Sequence, residues 1–169
     1  MGGMIGQTLA LKAPELFASL SLCDTSSRIP PEAKPLWDER IHAAETKGME
    51  PLVEPTLARW FTAPYKDEGG PVVDKVRTMI RSTPPAGYIG CCQAISGLNL
   101  TDRIGAIRVP TLIIVGEDDQ GTPVAASKVM NEKIHGSQLV ILKSAAHLSN
   151  MEQPEAFTSA LTGFLGKAS

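Results

Sequence analysis

Pro110-Thr111-Leu112-Ile113-Ile114-Val115-Gly116 is the stretch whose reading decides the fold. Its β-branched and aliphatic side chains run on without polar alternation, and proline and glycine bound them. That is the signature of a strand buried on both faces, as in a parallel sheet. Downstream, residues 123–135 read as a helix begun by Pro123, a favoured first helical position. Gln138 to Leu142 reads as a second strand, and a last helix begins near Pro154. In that helix Phe157, Leu161, Phe164 and Leu165 recur at i, i+4, i+7 and i+8, an apolar stripe. Strand–helix–strand–helix with short links predicts an α/β fold with a parallel sheet.

Working upstream, residues 16–23 form a short apolar run suited to a third strand buried on both faces. Before it, residues 3–13 carry Met4, Ile5, Thr8 and Leu9 at helical spacing, with Pro14 ending the run. Between these core pieces the character changes. Pro31, Pro35, Pro51, Pro55, Pro64, Pro71, Pro84 and Pro85 cut residues 30–100 into short segments. Of these, 32–47, 51–61 and 71–82 look helical, and no strand stands between them. The expected organisation is a first core segment over 1–29, a helical insertion over 30–100, and a second core segment over 101–169.

Bulk properties exclude several function classes. Of the 169 residues 43% are hydrophobic and 20% charged, an ordinary globular balance. A net charge of -2 and no Lys/Arg block argue against nucleic acid or an acidic membrane surface as partner. No apolar run approaches the ~20 residues of a membrane helix, and Met1 opens no signal peptide. Cys23, Cys91 and Cys92 fit neither a disulfide framework nor a zinc site. They read as reduced thiols of a cytoplasmic protein. No metal cluster and no phosphate-cradling glycine loop after a strand is present, so no cofactor is expected.

Chemistry in open parallel sheets collects beyond the carboxyl ends of the strands. Two loops fall there: Gly116-Glu117-Asp118-Asp119-Gln120-Gly121-Thr122-Pro123 and Ser144-Ala145-Ala146-His147-Leu148-Ser149-Asn150. Neighbouring strands lie ~4.8 Å apart, so a carboxylate on the first loop reaches an imidazole on the second. Such an acid orients the histidine and stabilises its cation, leaving the other ring nitrogen for a nucleophile. Spacing alone leaves Glu117, Asp118 and Asp119 open as the acid, with Asp24 a further position. A surface histidine beside a solvated acidic loop fits the same spacing. His42 and His135 sit in polar, helical surroundings and read as structural.

Met1-Gly2-Gly3-Met4-Ile5-Gly6-Gln7 adds a third motif. Preceded by Gly-x-Ser it would complete a G-x-S-x-G turn, in which the serine sits between strand and helix. That serine would stand one position before Met1, so the sequence reads as the portion following the nucleophile.

Taken with Arg59-Trp60-Phe61-Thr62, Gly87-Tyr88-Ile89-Gly90-Cys91-Cys92-Gln93-Ala94 returning to the core, and Glu152-Gln153-Pro154-Glu155-Ala156-Phe157, these motifs resemble the α/β-hydrolases. The resemblance is to the C-terminal portion of 3-oxoadipate enol-lactonases in particular, with 30–100 as their helical lid. It implies His147 as general base and selects Asp119 as its acid. It implies that the backbone N–H of Met1 is an oxyanion donor and that Trp60 lines the substrate pocket. The implied substrate is a small-molecule ester or lactone. By analogy with the family's strand order, the strand at 16–23 loses a neighbour, and such edges pair with other chains. The expectation is a dimer or larger homo-oligomer, or association with a complementary N-terminal half. Ser144, Ser149, Cys91 and Cys92 are the substitutes on hand for the serine. The other class of reading is a truncated, catalytically inactive fragment serving as an interaction module.

Overall fold

A computed structural model of the protein describes residues 1–166. The chain divides into two compact units, Met1–Arg28 with Asn99–Ser169, and Ile29–Leu98.

The first unit is built on three parallel strands, β1 (Leu20–Cys23), β2 (Thr111–Gly116) and β3 (Gln138–Leu142), side by side in that order. All six residues of β2 are buried. Its continuous Thr-Leu-Ile-Ile-Val-Gly run follows from its central place, since alternate side chains meet opposite covered faces. On one face Leu112 and Ile114 join Leu142, Ala145 and Phe164, with Phe157 and Leu161 packed alongside. Those phenylalanines belong to α9 (Pro154–Leu165). Leu165 does not join the stripe; it is 44% exposed. At 100° per residue it turns away from the sheet once Phe164 faces it.

The N-terminal run is shorter as a strand than its hydrophobicity suggests. Pro14–Leu16 forms a 3₁₀ turn, Leu16 is 68% exposed, and pairing begins only at Leu20. The reason lies in the neighbour: β2 starts at Thr111, and the Leu20 N–H already takes the Pro110 carbonyl at 2.8 Å.

Helix α1 (Gly2–Lys12) also turns a different face inward than its apolar spacing predicts. Met4, Gln7 and Ala10 are buried, whereas Ile5 and Leu9 are exposed. Glycine decides this. A Cβ on Gly3 would stand 2.5 Å from Thr25 Cγ2, and one on Gly6 3.2 Å from Leu20 Cδ1. The glycine face therefore lies close against Leu20 of β1 and Thr25 just beyond it, and it carries Gln7 inside. The Gln7 amide nitrogen donates to the Gly3 and Ser26 carbonyls at 3.1 and 3.0 Å, which offsets part of the cost of burying it, while its Oε1 is buried without a partner among the described residues. Helix α7 (Val124–Lys133) packs on β2 and β3.

The second unit is helical throughout its described length: α2 (Lys34–Lys47), α3 (Glu50–Trp60), α4 (Ala63–Glu68), α5 (Pro71–Ser82) and α6 (Pro85–Ser96). Prolines here mostly open helices rather than break them, occupying the first turn of α2 to α6. An orphan N–H is what that position lacks a use for. Pro55 stays inside α3. Val73, Val76 and Ile80 bury one face of α5, and Leu52, Val53 and Leu57 the facing side of α3. The segment Gly87–Ala94, expected to lead back to the core, lies within α6 and packs on α2. No helix of the described residues is long and apolar enough to cross a membrane.

Candidate active site

Two loops leave the carboxyl ends of β2 and β3 and are stitched together by backbone bonds. The Glu117 N–H donates to the Leu142 carbonyl at 2.8 Å, and the Asp118 N–H to the Ala145 carbonyl at 2.9 Å. Gly116 makes this approach possible. A Cβ there would lie 2.2 Å from the Ala146 oxygen and 2.4 Å from that of Ala145. The β3 loop starts through Ser144 in a left-handed conformation, φ 52°. Its descent is then fixed by α8 (Ser149–Glu152). Buried Glu152 accepts the Ala146 N–H at 2.7 Å, and the Gln153 amide donates to the Ser144 carbonyl at 3.1 Å.

These constraints bring His147 Nδ1 to 2.9 Å from Asp119 Oδ2. The Asp119 carboxylate is wholly buried, while the imidazole keeps a quarter of its surface exposed. Oδ1 of Asp119 accepts the N–H groups of Gly121 and Thr122 at 2.8 and 2.9 Å, and Oδ2 the Thr122 hydroxyl at 2.7 Å. Burial by itself raises the Asp119 pKa. The His147 hydrogen bond and charge and the Thr122 donors outweigh it, and the carboxyl lies below its ordinary value. Asp119 is therefore an anion at neutral pH, held rigid and pointing one oxygen at the ring. With Nδ1–H donating to that oxygen, the Nε2 lone pair is the one left to accept a proton.

Glu117 and Asp118 are exposed and stand apart from this pair. Asp24, at φ 44° just past β1, has separate partners: the Gly116 N–H at 2.9 Å and the Ser149 hydroxyl at 2.6 Å. Ser149 is completely buried and spends its proton on that carboxylate, which leaves it a poor stand-in nucleophile. Cys23 and Cys92 are no better. Burial pushes the Cys92 thiol up, and burial with the Asp24 charge pushes Cys23 up to about 11; a useful thiolate needs the opposite shift. Met1 directly precedes α1, its carbonyl accepting the Met4 and Ile5 N–H groups at 2.9 and 3.1 Å. Trp60 ends α3 in the helical unit and is partly buried. Among the described residues no group of three or more His, Cys, Asp or Glu side chains is placed to hold a metal ion.

Sequence reasoning gave no role to Thr122 or Glu152 and offered Ser149 only as a substitute nucleophile, although all three sat inside quoted motifs. The Ser149-x-x-Glu152 spacing, a helix-start pattern, was the available signal.

An acid and a histidine on adjoining loops beyond a parallel sheet define a recognisable class. The profile of the alpha/beta hydrolase fold family matches residues 1–154, and the chain belongs to that family. It is similar to 3-oxoadipate enol-lactonase 2 of Acinetobacter baylyi, 33% identical over 161 residues, 95% of this chain and 59% of that protein. Among solved structures it resembles a hydrolase from Pseudomonas aeruginosa, with TM-score 0.92 and 36% identity over 97% of this chain and 61% of that one. The enol-lactonase from Burkholderia xenovorans gives TM-score 0.92 and 35% identity over 98% of this chain and 63% of that one. The chain thus spans about three-fifths of the length of the relatives it matches.

Proposed function

We propose that this chain carries the acid–base half of a serine hydrolase acting on small carboxylic esters or lactones. The nucleophile in this reading is a serine in a Gly-x-Ser immediately before Met1. His147 Nε2 takes the hydroxyl proton during attack on the carbonyl, and Asp119 stabilises the imidazolium. The same nitrogen then returns the proton to the leaving alkoxide, and water releases the acyl group by the reverse sequence. The Met1 N–H is the oxyanion donor. The observation carrying this reading is the 2.9 Å contact between His147 Nδ1 and a buried Asp119 whose other acceptor sites are filled. Similarity to enol-lactonases supports a lactone or ester as substrate.

The test is hydrolysis of an activated aryl ester and of an enol-lactone by this chain joined to an N-terminal half ending in Gly-x-Ser. The reading expects turnover and labelling of that serine by a phosphonate, both lost with Gly-x-Ala and with His147→Ala. Turnover undiminished by His147→Ala overturns it.

A second reading has its own observation. Among the described residues the outer edge of β1 has no strand partner, and Ile5, Leu9 and Leu16 are 58%, 41% and 68% exposed. This supports association of the chain, on its own, with another polypeptide, whether or not it turns over substrate. Scattering in dilute solution checks it: a particle larger than the 18.0 kDa monomer is expected, and a single compact monomer refutes it.

A further inference from the structure

The proposed mechanism leaves a half-buried carboxylate, that of Asp24, unused. Asp24 lies at the end of β1, and its two oxygens reach two different loops. Oδ1 accepts the N–H of Gly116, the last residue of β2 and the start of the loop that carries Asp119. Oδ2 accepts the hydroxyl of Ser149, two residues beyond His147 and the first residue of α8. The chain is separated by 92 residues in the first bond and 125 in the second, so neither is a local turn. The left-handed backbone of Asp24, φ 44°, aims the side chain along the strand ends, and only Asn or Asp among side-chain residues adopts it readily.

We infer that Asp24 is a positioning residue: one carboxylate at the end of β1 clamps the acid loop to the histidine loop and so sets where His147 stands relative to Asp119. This rests on the proposed role of His147, although the clamp itself is tested without substrate. The clamp is held by hydrogen bonds to a carboxylate, which are about twice as strong as neutral ones. Its strength therefore follows the charge on Asp24.

That charge is lost within reach of neutrality. Burial pushes the Asp24 carboxyl up to about 6, opposed by the Ser149 hydroxyl, the Gly116 N–H and His147, and reinforced by the Asp119 anion. The titratable groups facing it are Cys23 on its own strand, Asp119 from the β2 loop and His147 from the β3 loop. Above that midpoint both bonds are to an anion. Below it, the protonated carboxyl keeps at most one acceptor oxygen of full strength, and the histidine loop is held more loosely.

The experiment is proton–nitrogen NMR of the chain between about pH 4 and about pH 8, a span that brackets carboxyl and imidazole titration. The Gly116 amide proton is expected to titrate with a midpoint of about 6. In Asp24→Asn that titration disappears, because the acceptor remains and the charge does not. In Ser149→Ala, which keeps the clamp's other bond, the midpoint moves upward, since a bond favouring the carboxylate is gone. Amide exchange over 144–149 should rise about tenfold in both variants at neutral pH, the loss of one charge-assisted bond. The Ile134 amide, held by the Met130 carbonyl at 2.8 Å and remote from both loops in sequence, reports whether each variant remains folded. A Gly116 amide that does not titrate, or that titrates alike in Asp24→Asn, overturns the inference. Exchange over 144–149 unchanged in both variants overturns it too. Absence of hydrolysis in the serine-completed protein counts only against the proposed function.

Discussion

Asp119, buried, and Asp24, partly buried, are acids just past the ends of adjoining parallel strands, yet their carboxyls move in opposite directions. Asp119 falls below its ordinary value, while Asp24 rises to about 6. Burial disfavours the charge in both. The difference lies in the donors. Asp119 collects two backbone N–H groups, the Thr122 hydroxyl and the His147 ring. Asp24 has one N–H and one hydroxyl, and the neighbouring Asp119 anion works against it. The lesson is that position at a strand end supplies the reach, whereas the turn that follows supplies the charge state. Gly121-Thr122 makes a nest of donors after β2; the residues after Asp24 do not.

The comparison is most exposed in activity. In the serine-completed protein, Asp119→Asn should lower kcat by about 10⁴-fold, the cost of the same change in a studied serine protease. Asp24→Asn should lower it by about tenfold, the loss of loop order alone. Steady-state kinetics showing equal losses would erase the distinction between orienting the ring and positioning its loop.

Next in size is the backbone contact on which both acids depend. Gly116→Ala forces a methyl into the Ala145 and Ala146 carbonyls and should cost about 3 kcal/mol or more in urea unfolding. Gly163→Ala, in α9 with nothing near its missing Cβ, should instead gain about 0.5–1 kcal/mol. A gain at both positions would mean the two loops do not touch as described.

Removing a donor should push Asp119 toward Asp24 in character. Thr122→Val deletes the hydroxyl bond to Oδ2 and should cost about 1–2 kcal/mol, with the Asp119 carboxyl rising toward its ordinary value. Carbon-13 titration of the labelled carboxyl, together with unfolding, checks this.

The smallest effect is in the pH dependence of stability, where the two acids have opposite signs. Asp119 binds its proton more weakly folded than unfolded, so its stabilisation is present above 3.8 and is lost as pH falls through the depressed value. Asp24 binds its proton more tightly folded. Its contribution is full below 3.8 and is lost as pH rises to about 6. Asp24→Asn should therefore abolish a decline in urea midpoint between those two values. A wild-type midpoint that only rises across that interval, with the variant parallel to it, would contradict the assignment.

Much of the architecture was readable because it depends on local pattern. The Thr111–Gly116 run carries its burial in its composition, Gln138 to Leu142 reads as a strand although only Leu142 in it is buried, and Pro154 marks the last helix. Where neighbours decide, the pattern misled. Leu16 to Ser19 is apolar enough for a strand, but no residue of β2 lies opposite to pair with it. Ile5 and Leu9 look like the core face of α1, but Gly3 and Gly6 fit the sheet more closely and turn those side chains outward. In the site, histidine and a group of acids were visible, and only resemblance chose Asp119 among them.

By itself the sequence determined a parallel α/β core, a helical insertion between its first two strands, and two loops of suitable chemistry, because hydrophobic periodicity and turn residues act over a few positions. The tertiary structure alone decided which acid meets His147, that Asp24 and Ser149 lie across from each other, and which face of α1 is inside. Those outcomes depend on contacts between segments up to 125 residues apart, whose distances no local preference encodes.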